Sequence, residues 1–202
     1  MERAHAAERL IEAGRRLDAR GYSPATSGNY SARLDATRIL VTASGKHKGM
    51  LTPDDLVLVD YDGRPVDGGR PSAETALHVA MFRADPRIGC VLHTHSVRST
   101  VLGRAVARQA EIDLVGYEML KAFPGVSSHT DRVRIPIFEN SQEMPVMAER
   151  VQQRWMKEPF VGYLIVGHGL YAWGADVDRA LVAIEALEFL VSCEVESRMV
   201  GA

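Results

Sequence analysis

The chain predicts an α/β fold, with a central mixed, mostly antiparallel sheet carrying helices on both faces. Three observations lead there. Stretches with apolar residues at helical spacing alternate with short β-branched runs. The neighbouring runs 30–34, 38–43 and 56–60 have no helix between them, which calls for antiparallel pairing. Two runs, 88–95 and 162–166, are almost wholly apolar, as strands covered on both faces are.

The elements follow in order. Residues 2–20 put Ala7, Leu10, Ile11, Gly14 and Leu17 on one stripe, predicting an amphipathic helix that Gly21 stops. The small polar segment Ser23-Pro24-Ala25-Thr26-Ser27-Gly28-Asn29 leads into the strand 30–34. The strand 38–43 ends in the loop Ser44-Gly45-Lys46-His47-Lys48-Gly49, and the strand 56–60 ends near the turn Asp62-Gly63. Pro71 and Ser72 open a helix that buries Ala73, Ala76, Leu77, Ala80 and Met81, and Asp85-Pro86 breaks it. After the strand 88–95 come a helix over 97–108, strands near 112–115 and 133–138, and a helix over 143–156. The strand 162–166 turns at Gly167-His168-Gly169, and pairing continues over 170–173. A long Ala/Leu/Glu-rich helix closes the chain, with Asp176 as its N-cap.

A length of 202 residues suits one domain, since chains divide beyond roughly 250, so residues 1–202 are expected to form a single unit. With 46% hydrophobic and 25% charged residues the chain is neither disordered nor of low complexity. A net charge of −2 argues against a dedicated nucleic-acid binder. The longest apolar run, 180–191, falls short of the roughly 20 residues that span a bilayer and is interrupted by Glu185 and Glu188. The opening residues lead into a charged helix and not a signal-peptide core, and Cys90 and Cys193 are too few for a disulfide framework. A reducing cytoplasm is the expected location.

The strongest chemical signal is His93-Thr94-His95 at the end of a buried strand. Alternation puts both imidazoles on one face, about 7 Å apart at Cα, within reach of one ion. The same parity turns Cys90, Leu92 and Thr94 to the other face and removes Cys90 as a ligand. Catalytic zinc takes three protein ligands, and His168, between two glycines at the end of another apolar strand, is the best third candidate. The competing reading is ordinary sheet histidines. Glu74 and His78 share a helical face, which suits a local hydrogen bond more than a metal pair. His5 and His129 read as solvated. HExxH is absent.

Two loops suit an anion. Thr26-Ser27-Gly28-Asn29 offers hydroxyls, an amide and backbone N–H groups, and the loop 44–49 adds Lys46 and Lys48; Ser72 at a helix opening offers more donors. Each alone also fits a plain turn or cap. Together with the histidines they point to a small phosphorylated substrate beside a metal. Proton transfer next to a metal needs a base, and Glu74 and Glu118 are candidate carboxylates that composition alone does not promote above surface residues.

Taken in order, Thr26-Ser27-Gly28-Asn29, Ser44-Gly45, Pro71-Ser72-Ala73-Glu74, His93-Thr94-His95 and Gly167-His168-Gly169-Leu170-Tyr171 resemble the class II aldolase/adducin family across nearly the whole chain. The resemblance implies a three-layer α/β/α fold and a homotetramer with sites near subunit interfaces. It implies one Zn2+ per subunit on His93, His95 and His168. It implies substrate-phosphate contacts from Asn29, Ser44, Gly45 and Ser72, to which the charge of Lys46 adds. Glu118 matches an acid/base residue of the family's dehydratases, and Glu74 matches the catalytic carboxylate of its aldolases. Ala73 stands where aldolases often carry a second serine. Within the family, the loop 44–49, Glu118-Met119-Leu120-Lys121 and 162–174 are most similar to the branch that dehydrates 5-methylthioribulose 1-phosphate to a 2,3-diketone in methionine salvage. The rival activities are sugar-phosphate aldol cleavage and 4-epimerisation, and a non-catalytic adducin-like module is the rival of another class.

Overall fold

The computed structural model describes residues 1–201. Its centre is a sheet whose strands are β1 (Asn29–Arg33), β2 (Arg38–Thr42), β3 (Leu56–Asp60), β4 (Cys90–Thr94), β5 (Glu111–Leu114), β6 (Val133–Phe138), β7 (Gly162–Ile165) and β8 (Gly169–Gly174). The spatial order is β3-β2-β1-β4-β8-β7-β6-β5. Among the described residues only β6 and β7 pair in parallel. The mixed, mostly antiparallel sheet read from the sequence is therefore present.

Among the described residues five α-helices cover it: α1 (Arg3–Ala19), α2 (Thr75–Ala84), α3 (Val97–Ala105), α4 (Met144–Lys157) and α5 (Val177–Val200). Leu10 and Leu17 of α1, Leu102 of α3 and Leu187 and Leu190 of α5 pack on one sheet face with Leu92 and Cys90. Leu77 and Met81 of α2 and Val151 and Trp155 of α4 pack on the other with Val91 and Tyr171. This is a three-layer α/β/α sandwich, and burying both faces is what makes β4 apolar on both sides. Asp176 caps α5 as expected, accepting from the Arg179 N–H at 2.8 Å.

Several boundaries differ from the sequence reading: the helix expected over 97–108 ends at Ala105, the strand expected over 88–95 spans Cys90–Thr94, and the largest shift, which also leaves Ala73 exposed, is at α2. The helix expected to open at Pro71 and Ser72 starts at Thr75. Pro71 instead bridges to Ala43, and the Ser72 N–H donates to the Thr42 carbonyl. That pairing holds 71–72 extended against the end of β2, and Glu74 takes the flanking position before the helix.

Candidate metal centre

β4 enters the core as a fully buried strand and delivers His93 to the face shared with Tyr171. Cys90 and Leu92 lie on the other face, as parity requires. The backbone around His93 is pressed from both sides. A Cβ on Gly169 would meet the Thr94 carbonyl at 1.9 Å, and one on Gly28 would meet the His93 carbonyl at 2.7 Å. Glycine is thus required at the start of β8 and just before β1 for β4 to sit this close. His95 follows β4, its N–H donating to the Tyr22 carbonyl at 2.8 Å. His168 arrives on the turn between β7 and β8, where Gly167 adopts φ +64°, and its carbonyl accepts from the Thr100 hydroxyl at 3.0 Å.

The three imidazoles and Glu74 each offer a donor atom, all within 4.8 Å of one another. His93 Nε2 lies 3.3 Å from His168 Nε2, and Glu74 reaches His168 Nε2 at 2.9 Å and His93 Nε2 at 3.2 Å. His93 Nδ1–H donates to the Leu170 carbonyl at 3.0 Å, which leaves the lone pair of Nε2 facing the cluster. Burial holds His93 well below the usual histidine value, and burial together with His168 lowers His95 to about 4. Neutral imidazoles are the form that binds metal. Bare nitrogens facing one another beside a carboxylate form a donor set that fits a divalent cation.

Burial works against the charge on Glu74, but His93, His168 and Asn29 outweigh it and hold its carboxyl well below the usual carboxylate range. The Asn29 amide N–H donates to Glu74 at 2.8 Å and the Tyr171 hydroxyl donates at 2.6 Å. Behind Asn29 stands His78, fully buried and lowered to about 4 by burial. Its Nε2–H donates to the Asn29 carbonyl oxygen at 2.5 Å, and its Nδ1 accepts from the Ser31 hydroxyl at 2.6 Å. The pairing of Glu74 with His78 is therefore indirect and passes through Asn29. The Tyr171 ring stacks on His93 with centroids 3.9 Å apart and on Tyr163 at 4.7 Å, fixing the imidazole plane.

A cleft of about 160 Å³ opens beside His95 and Glu74, lined by Thr26, Ser27, Gly28, Asn29, Ser44, Gly45, Lys48 and Ser72. The expected anion-binding positions Asn29, Ser44, Gly45 and Ser72 thus meet in one place. The Ser27 hydroxyl is buried there without a partner. Lys46 is not among the lining residues; its ammonium pairs with Asp55 at 2.8 Å. Lys48 takes the inward place, nearly fully buried, with Nζ donating to the carbonyls of Thr26 and Lys46 at 2.8 and 2.5 Å. Burial lowers its ammonium to about 8. Two lysines in one short loop look alike in sequence, and only the fold tells which turns inward. Tyr171 and His78 are site residues that spacing in the sequence does not single out, although Tyr171 ends the segment Gly167–Tyr171.

Glu118 stands apart. It lies on the short turn 118–122 after β5, the sheet-edge strand, with its side chain exposed and paired with Lys121 and His129. The Lys121 ammonium holds its carboxyl below the usual value. Neither the cleft nor the four-residue cluster of its own chain includes it.

Comparison with known proteins follows the same lines. Residues 8–195 match the family described as Class II Aldolase and Adducin N-terminal domain. A methylthioribulose-1-phosphate dehydratase of Pseudomonas fluorescens (strain Pf0-1) is 50% identical over 202 residues, covering 99% of this chain and 97% of that protein. One of Marinobacter nauticus is 47% identical over 199 residues, covering 98% and 96%. Among solved structures, an L-fuculose-1-phosphate aldolase from Thermus thermophilus superposes with a TM-score of 0.80 at 22% identity, covering all of both chains. Another L-fuculose 1-phosphate aldolase gives 0.81 at 19% identity, covering 98% of this chain and 88% of that one. At these identities the structures speak for the fold alone.

Proposed function

The chain belongs to the class II aldolase/adducin family, and from that premise we propose that it dehydrates 5-methylthioribulose 1-phosphate to the 2,3-diketo-5-methylthiopentyl 1-phosphate. It is a hydro-lyase of methionine salvage. The observation that carries the reading is the convergence of His93, His95 and His168 beside a phosphate-sized cleft, in a chain about half identical to dehydratases along its whole length.

His93, His95 and His168 would hold the cation, for which Zn2+, one per subunit, is the proposed identity. When bound it supplies a Lewis acid that draws charge onto the C2 oxygen of the ketose. Backbone and hydroxyl donors of the cleft, with Lys48 behind them, bind the phosphate and set the register of C3, and orientation of this kind contributes several kcal/mol. Glu118 takes the proton from C3, leaving an enediolate, and returns it to the C4 hydroxyl, which departs as water. The resulting enol at C3 and C4 becomes the diketone by proton transfer to C4. Glu74, ionised and held by Asn29 and Tyr171, keeps negative charge against the imidazoles.

Because Glu118 is exposed and outside the cleft of its own chain, it serves the site of a neighbouring copy in a homotetramer. The size of the cleft supports this. Ligand pockets measure roughly 300–1,000 Å³, and about 160 Å³ in one chain leaves room for a second to complete the wall. Both cysteines are free thiols and, among the described residues, no helix is long and apolar enough to cross a membrane; the cytoplasm is the proposed location.

The test is incubation of zinc-loaded protein with 5-methylthioribulose 1-phosphate and mass analysis of the product. Loss of one water is expected. Release of a three-carbon ketose phosphate, or an isomer of unchanged mass, supports aldolase or epimerase chemistry instead. Glu118→Gln is expected to keep its metal and lose turnover by about 10²–10⁴-fold. Full turnover in that variant removes Glu118 from the mechanism.

A further inference from the structure

Glu188 is the charge that interrupts the apolar run of the last helix, and the fold gives it a place. It sits on α5, fully buried, against the face of β4 opposite the histidine cluster. Its two oxygens serve two different hydroxyls. The Thr94 hydroxyl donates to one, and the Ser96 hydroxyl donates to the other at 2.5 Å. Thr94 lies between His93 and His95 in the chain, and Ser96 follows His95. One carboxylate therefore grips the residues on both sides of His95.

Burial pushes the Glu188 carboxyl up to about 7, and only the Ser96 and Thr94 hydroxyls pull it back. A leucine here would fill the space without that desolvation cost. What a leucine lacks is a second-point grip on the bend where β4 ends and α3 begins. Ser96 is also the N-cap of α3, accepting from the Ser99 N–H at 3.0 Å. The hydroxyl that stops the strand and the hydroxyl that starts the helix are thus tied to one group on a third element. Glu188 itself belongs neither to the donor cluster nor to the cleft.

We propose that Glu188 is a positioning residue of the metal centre: by holding Thr94 and Ser96 it fixes the strand-to-helix bend that aims the His95 ring at His93 and His168. The inference rests on the metal reading above and extends it to the far side of the sheet. Glu188 acts through the backbone of β4, so its effect falls on the geometry of the donor set before it falls on turnover.

The experiment compares wild type, Glu188→Ala, Glu188→Gln, Thr94→Val and His95→Ala. Zn2+ affinity is read by chelator competition, ligand geometry by the visible absorption of the Co2+-substituted protein, and fold by the melting temperature of the metal-free form. Glu188→Ala and Thr94→Val are expected to weaken Zn2+ binding by roughly 10–100-fold, the range for groups that orient ligands, and to move the Co2+ bands. Glu188→Gln is expected to recover most of the affinity, since its amide can accept from one hydroxyl and donate to the other. Wild-type affinity and unmoved Co2+ bands in Glu188→Ala, with only a lower melting temperature, would overturn the proposal and leave Glu188 a packing residue. Should Glu188→Ala fail to fold, Thr94→Val decides alone by the same two readouts. Wild type that binds Zn2+ no better than His95→Ala defeats the metal reading itself, and this inference with it.

Discussion

Glu74 and Glu188 are both withdrawn from solvent, on opposite faces of β4, and yet their surroundings shift their ionisation in opposite directions. Glu74 faces imidazoles, an amide N–H and a phenol, and its carboxyl titrates well below the usual range. Glu188 faces two hydroxyls with burial against it, and its carboxyl rises to about 7. The difference shows that burial alone does not set ionisation; what matters is whether the neighbours carry, or can take up, positive charge. On one face of the strand the arrangement keeps a negative charge beside a cation site. On the other it keeps a carboxyl group that binds by geometry.

The hardest blow to the comparison is His168→Ala, which removes a metal donor together with the 2.9 Å partner of Glu74. Metal content by elemental analysis is expected to vanish, with a loss of turnover beyond the roughly 10–100-fold seen on changing groups that only orient metal ligands. A variant that keeps one metal per chain would take His168 out of the donor set. Next comes Glu74→Gln, which leaves the shape and deletes the charge. Turnover is expected to fall by roughly 10–100-fold with the fold intact, read as kcat against circular dichroism. Unchanged kcat would mean that the ionised state of Glu74 does nothing.

The Glu188→Gln variant sharpens the other half. The folded value of about 7 lies above the ordinary 4.5, so the folded protein binds more protons between these limits. Stability from this group is fully present below about pH 4.5 and is lost as pH rises through about 7. The stability of wild type relative to Glu188→Gln is expected to drop by on the order of 3 kcal/mol across that window, measured by urea unfolding of the metal-free protein. Buried His78, lowered to about 4, slopes the opposite way, its stability being lost as pH falls from 6.5 toward 4. Taking the difference between the two proteins removes that contribution. A flat difference curve would show that Glu188 is ionised in the fold like any surface acid. The smallest expected effect is Tyr171→Phe. It deletes one of the donors to the Glu74 carboxylate and is expected to cost about 1.5 kcal/mol in the same unfolding measurement.

The two faces also differ in how much of them could be read from sequence. Strand parity separated His93 and His95 from Cys90 and Thr94 with no knowledge of the fold, because the period of two is a local property. The glycines around His168 point to a close backbone approach because they carry no Cβ, and at Gly169 one would meet the Thr94 carbonyl. The motif order carried the family, and with it the layered architecture. Glu188 gave only the oddity of a charge in an apolar stretch, since its partners lie more than ninety positions earlier. Lys48 and Lys46 could not be ranked, because one turns to carbonyls across the cleft and the other to Asp55. Glu118 was singled out by its motif alone, and only the sheet order puts it on the outermost strand's side of the molecule. Local periodicity survives translation into structure, while pairings across elements need the fold.

The donor set is drawn from Glu74, His93, His95 and His168, so its last member is made late in synthesis. A ribosome that has produced the chain only as far as β7 holds two imidazoles and a carboxylate with nothing to close them. The complete set of four comes together only where the hairpin of β7 and β8 pairs with β4, which ties the donor cluster to the closing of the sheet's middle.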